Sequence, residues 1–157
     1  MRSQMIDFGP FDVLENYSVK KLNSWRVGGC ARYFFEPENE QQLIQFVKYI
    51  HDHKIRLPIY WLGLGSNVLL PDDTLDGIVM RTRNMQAYEF YDDGKVYADC
   101  GLACAKLAKL GEGQGLYGST FFAGIPGTIG GALFMNAGAF GSQTWEHVLS
   151  VKWLHTD

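Results

Sequence analysis

Between Gly113 and Trp145 the chain carries no Asp, Glu, Lys or Arg, and eleven of its 18 glycines fall between Gly101 and Gly141. A stretch like this is a membrane span, a solvated linker, or buried and tightly turned backbone. The span fails because Gly, Ser, Thr, Asn and Gln interrupt every apolar run well short of the ~18 residues a helix needs to cross a bilayer. The linker fails because Phe121, Phe122, Ile125, Ile129, Leu133, Phe134 and Met135 are too apolar for solvated chain. What remains is compact, uncharged backbone whose N–H groups need partners. A bound ligand is one way to supply them.

The rest of the composition narrows the partner. With 157 residues, 46% hydrophobic and 14% aromatic, the chain has material for one globular domain with a true core and is not disordered. A net charge of −3 argues against nucleic acid and against an anionic membrane surface, both of which reward a basic face. Cys30, Cys100 and Cys104 make an odd set without a CxxC pair, which suits thiols in a reducing compartment better than a disulfide framework. Cys100 and Cys104 are spaced i, i+4, but no His, Asp or Glu is placed to complete a metal site with them, so no metal is expected. Met1 to Asp7 contains no apolar run, so no signal peptide is read and a cytoplasmic location is expected.

Local patterns suggest an α/β or α+β domain. Ala31–Glu36 reads as a strand ended by Pro37. Glu38 to about His53 reads as a helix, with Leu43, Phe46, Val47 and Ile50 at three- and four-residue spacing and acidic residues in the first turn. Pro58–Leu62 reads as a buried strand stopped by Gly63, and Gly77–Arg81 as another. Ala87–Tyr91 and Lys95–Asp99 flank Asp92-Asp93-Gly94, a hairpin signal. Leu102–Leu110 reads as a helix stopped by Gly111, and Val148–Leu154 as a closing strand left with an open edge. These divide the chain into an extension over 1–16, a first lobe over 17–84 and an unfinished second lobe over 85–157.

Two glycine motifs are candidates for chemistry. Gly63-Leu64-Gly65-Ser66-Asn67 follows an apolar strand; its glycines let main-chain amides approach a phosphate, and Ser66 and Asn67 add short hydrogen-bonding side chains. It is not a dinucleotide fingerprint, because Val68 stands where a third glycine is required. Taken alone, a tight turn leaving a strand is the better account of so short a glycine motif. Gly124-Ile125-Pro126-Gly127-Thr128-Ile129-Gly130-Gly131-Ala132 either opens a helix toward an anion or packs elements closely. Elsewhere, Arg26 reads as a surface residue and His51-Asp52-His53 as a solvated helix end. Tyr88, Phe90, Tyr91 and Tyr97 read as the faces of a packed hairpin.

Taken in order, Asn23-Ser24-Trp25-Arg26-Val27-Gly28-Gly29, Gly63 to Leu70, and Gly124 to Ala132 continuing through Met135 to Gly141 resemble the amino-terminal half of the UDP-N-acetylenolpyruvoylglucosamine reductase family. The resemblance covers about 17–157. It implies an α+β FAD-binding domain of the vanillyl-alcohol-oxidase (PCMH) type, with two lobes gripping the cofactor. Carried over by position, Gly63, Leu64, Gly65, Ser66, Asn67 and Val68 hold the FAD pyrophosphate. Gly124, Ile125, Pro126, Gly127, Thr128, Gly130, Gly131 and Ala132, with Asn136 and Gly138, line the ribityl and flavin side. The family passes a hydride from NADPH through flavin to a UDP-sugar enolpyruvyl group, making UDP-N-acetylmuramate for peptidoglycan.

In the family the catalytic Arg, Ser and Glu lie beyond the part that matches, so no catalytic residue is assigned here and the substrate domain is expected to be absent. The chain alone is expected to be inactive. Two alternatives stand beside this: a flavin oxidase or dehydrogenase of the same fold, and a non-catalytic remnant that self-associates through an open sheet edge.

Overall fold

The computed structural model describes residues 6–155. Most of the Met1–Asp7 segment, and Asp157, therefore lie outside the described residues. A four-stranded sheet organises the first half, in the order β1 (Leu14–Ser18), β2 (Cys30–Phe35), β4 (Leu75–Arg81) and β3 (Ile59–Leu62). The pairs β2–β4 and β3–β4 are parallel, while β1 runs antiparallel to β2.

Both faces of this sheet are buried, as parallel strands require. On one face Tyr33, Phe35, Ile78 and Met80 meet Phe46, Val47 and Ile50 of helix α1 (Glu40–Asp52), with Phe8 from the start of the chain added to the cluster. On the other face Phe34, Leu62 and Val79 meet Val19 and Leu22. The helix starts at Glu40, two residues later than expected, because Asn39 caps it: its Oδ1 accepts the Gln42 N–H at 2.9 Å. Strand β1 was not expected. It is an exposed edge strand of mixed polarity, and the boundary drawn at residue 17 cuts through it.

The second half holds the expected hairpin, β5 (Tyr88–Phe90) with β6 (Val96–Ala98), turning at Gly94 with φ +80°. Helix α2 (Cys104–Gly113) follows, then a 3-10 helix over Tyr117–Gly124, helix α3 (Ile129–Met135), and a short hairpin of β7 (Gly138–Ala139) with β8 (Ser142–Gln143). Leu102, Leu107, Phe121, Phe122, Ile125 and Ile129 form its core.

Two expectations are corrected here. Gly111 does not stop α2; it lies inside the helix, where a side chain would run into Ser119 Oγ, so its smallness serves a close crossing. The helix ends instead ahead of Gly115, which takes φ +74°. Val148–Leu154 is not a strand: the segment lies outside every sheet, with Leu149 and Trp153 more than 70% exposed. The open sheet edge expected there is therefore not formed. Among the described residues no helix is long and apolar enough to cross a membrane.

Candidate cofactor site

The first glycine bend leaves the carboxyl end of β3, where the Thr82 N–H donates to the Leu62 carbonyl at 2.9 Å and fixes β3 beside β4. Beyond Leu62 the ladder stops. None of the main-chain amides from Gly63 through Asn67 donates to another group of the described residues. Gly65 is buried, takes φ +78°, and presses on the first motif: a Cβ there would collide with the Leu22 carbonyl and stand 2.9 Å from Asn23 Cα. Its own carbonyl accepts the Ser24 N–H at 3.0 Å. Asn23 closes the loop below by donating from Nδ2 to the carbonyls of Val19 (3.2 Å) and Val27 (2.8 Å), while its buried Oδ1 has no donor among the described residues. Two motifs about forty residues apart in sequence thus form one packed unit, with Leu64 and Asn67 exposed and Ser66 and Val68 half-buried.

The second bend meets the first directly. A Cβ on Gly63 would lie 2.5 Å from Thr128 Oγ1, so the two bends touch only because residue 63 has no side chain. Thr128 is 2% exposed and caps α3, its Oγ1 accepting the Gly131 N–H at 3.3 Å.

The amides of this bend are largely spent within the protein. Ile129 donates to Leu102 O (2.8 Å), Gly130 to Cys100 O (2.8 Å) and Ala132 to Thr128 O (2.8 Å), while the Gly127 carbonyl accepts from Cys104 (3.0 Å). Only Gly127 and Thr128 keep amides without an acceptor among the described residues. Close packing therefore accounts for Gly130, which abuts Cys100 Cβ at 2.8 Å from its would-be Cβ, and for the core residues Ile125 and Ala132. Gly124 packs on Ala139 and Phe140, while Pro126 and Gly131 remain exposed.

Asn136 and Gly138 have structural employment of their own. Asn136 takes φ 45° at the end of α3, donates to Gln143 Oε1 (3.0 Å) and accepts the Trp145 N–H (3.1 Å), closing the β7–β8 hairpin. A side chain at Gly138 would stand 2.7 Å from the Ser142 carbonyl. Their side-chain and backbone geometry is explained without a ligand.

The remaining candidates settle simply. Arg26 is exposed in a loop at φ 56°. His53 stacks on Tyr49 at 3.8 Å at the end of α1, and among the described residues no three His, Cys, Asp or Glu side chains gather as a metal site. Tyr97 donates to Asp99 Oδ1 at 2.7 Å, which holds its phenol well above the usual range. Burial pushes the Cys104 thiol up to about 11. A higher pKa means less thiolate at any pH below it, so Cys104 should react with an aromatic disulfide reagent at pH 8 at least ~30 times more slowly in the folded protein than in denaturant. Equal rates in both states would contradict this burial. An open depression of about 480 Å³, bordered by Tyr117, Phe121, Phe140 and His147, shares no residue with the Gly63–Val68 bend.

One buried cation, in register with the residue before the first bend, was not a candidate in the sequence reading. Arg81 ends β4 opposite Leu62 and is 8% exposed, 3.7 Å from Glu36 and with an Nε–H that has no acceptor among the described residues. Burial lowers its affinity for the proton.

These features leave a row of main-chain donors beside the contact of the two bends, an arrangement that suits the diphosphate of a dinucleotide. A family described as FAD binding domain matches residues 31–157; the chain belongs to that family, with the α+β PCMH-type fold expected, and its cofactor is FAD. The donor set fits the group: the amides of Gly63–Asn67, and those of Gly127 and Thr128 across the contact of the two bends, have no acceptor among the described residues and favour a polyanion.

Its curated relatives bear out the resemblance read from the three motifs. UDP-N-acetylenolpyruvoylglucosamine reductase of Methylococcus capsulatus is 43% identical over 139 residues, which covers 88% of this chain and 45% of that protein. The enzyme of the same name from Nitrosococcus oceani is 45% identical over 130 residues, covering 82% and 43%. A crystal structure of UDP-N-acetylenolpyruvylglucosamine reductase from Thermus caldophilus superposes with a TM-score of 0.63 at 25% identity, over 85% of this chain and 44% of that one. The chain thus spans about half the length of the curated relatives it matches.

Proposed function

We propose that this chain supplies the cofactor-binding part of a flavin-dependent, NADPH-using reductase that converts UDP-N-acetylenolpyruvoylglucosamine to UDP-N-acetylmuramate for peptidoglycan in the cytoplasm. The observation that carries the reading is the bend from Gly63 to Asn67, whose amides have no acceptor among the described residues and which lies against Thr128 of the second bend. Those amides, with the side chains of Ser66 and Asn67, hold the diphosphate; Gly127 and Thr128 offer two more donors from the other lobe. Bound there, FAD supplies hydride acceptance from NADPH and hydride delivery to the enolpyruvyl group. The chain's own part is orientation and exclusion of water. No residue here is assigned to proton transfer.

The curated relatives are about twice as long, and no residue of this chain is assigned to binding or protonating the sugar nucleotide. Titration of the purified chain with FAD should quench flavin fluorescence to a one-to-one end point. The loaded chain should show no NADPH oxidation stimulated by the enolpyruvyl sugar nucleotide. Absence of FAD uptake would overturn the cofactor reading, and stimulated turnover would overturn the assignment of catalysis to other sequence.

A further inference from the structure

Arg81 occupies an unusual place for a cation. In the register of β3 with β4 it stands opposite Leu62, the residue immediately before the first glycine bend, one strand spacing of about 4.8 Å away. Strand alternation puts it on the face of Val79, and paired parallel residues share a face, so it projects on the side of Leu62 as well. That is the face of the cluster containing Leu22, Phe34, Leu62 and Val79, onto which Val68 and Leu70 return as the bend comes back to the sheet. The guanidinium therefore lies at the carboxyl edge of three parallel strands, on the side over which the bend folds.

Its satisfaction is poor. Nη1 is 3.7 Å from Glu36 Oε1, outside hydrogen-bond range, and the buried Nε–H has no acceptor among the described residues. A buried guanidinium so little compensated is costly to keep. The neighbouring bend is the converse case, a row of amide donors with no charge of its own: Gly63 to Leu70 contains no Lys or Arg. The two deficits match one ligand, an anion that accepts from the amides and pairs with the guanidinium.

We infer that Arg81 pairs with a phosphate of the dinucleotide held by the Gly63–Asn67 amides, and is the cation of an otherwise uncharged cradle. This rests on the cofactor reading above and adds to it a residue that determines selectivity for the phosphorylated form of the flavin. Glu36 holds the guanidinium from one side and leaves Nε–H to the ligand.

The test compares FAD with riboflavin, which lacks phosphate, by fluorescence titration of the full chain and of Arg81→Met and Arg81→Lys. Arg81→Met should weaken FAD binding at least ~10-fold, the range lost when a hydrogen bond to a charged group is removed, and leave riboflavin affinity within about twofold. Arg81→Lys should fall between. For the unsubstituted chain, raising salt from about 0.05 M to about 0.5 M should weaken FAD binding several-fold and riboflavin binding little; this arm decides the matter if Arg81→Met fails to fold. FAD affinity unchanged in Arg81→Met, an equal loss for both ligands, or FAD binding insensitive to salt would each overturn the inference while leaving the cofactor site in place. A full chain that takes up no FAD would instead remove the reading on which the inference rests.

Discussion

Replacing Gly65 by valine should lower FAD affinity at least ~100-fold and destabilise the fold by about 3 kcal/mol, the sum of two strains at one position. The first strain is conformational: Gly65 sits at φ +78°, a region that costs an L-residue roughly 1–2 kcal/mol, and more when it is β-branched. The second is steric, because a side chain would drive into the Leu22 carbonyl and against Asn23 Cα. Neither neighbour is the far end of a flexible side chain, so the bend must lift away and break the Ser24–Gly65 hydrogen bond of 3.0 Å. Lifting moves the amides of Gly63 to Asn67 out of register with one another, which is why affinity falls together with stability. Gly113→Ala is the control: nothing lies within 4 Å of a side chain there, and a helical alanine is neutral to slightly stabilising. Urea unfolding and FAD titration of both variants provide the comparison. Wild-type affinity in Gly65→Val would show that the bend does not hold the cofactor.

The second large effect is a coupling. Gly63→Ala should weaken FAD binding at least ~10-fold, because the added methyl meets Thr128 Oγ1 at 2.5 Å and pushes the two bends apart. Thr128→Ala alone loses the cap of α3, a cost of about 1 kcal/mol in stability. Combined, the two changes should restore part of the FAD affinity lost in Gly63→Ala, since the second removes the oxygen against which the first collides. The cycle is read by FAD titration of all four proteins. Strictly additive losses would mean that the bends act independently, contrary to the contact between them.

Much of the architecture was legible in local pattern. Helix α1 was readable because its apolar residues follow a single face, and the hairpin because Asp92-Asp93-Gly94 supplies a left-handed glycine where the turn needs one. Strand β1 was not, because an exposed edge strand has little hydrophobic signature. Gly111 misled because a glycine chosen for close approach to Ser119 looks, in sequence, like one chosen to end a helix. Val148–Leu154 misled because β-rich composition does not create a pairing partner.

The site divides in the same way. Glycine density located both bends and the motif order located the family. Which amides are free was not readable: those of Ile129 and Gly130 are consumed by Leu102 and Cys100, partners fixed by tertiary packing. Asn136 and Gly138 also close the β7–β8 hairpin, a structural role that depends on tertiary neighbours and has no local signal. Arg81 was hidden as the last residue of an apolar strand; only its burial and unpaired Nε–H distinguish it.

Amide chemical shifts of the ¹⁵N-labelled chain, followed during titration with FAD and separately with riboflavin, test most directly whether main-chain donors of the first bend hold the diphosphate. The expected result is a large shift of the Gly63, Leu64, Gly65, Ser66 and Asn67 signals with FAD, with Gly127 and Thr128 following and Ile129 and Gly130 little changed, and no comparable shift in the first bend with riboflavin. Saturable FAD binding that leaves the Gly63–Asn67 amides where they were would contradict the account.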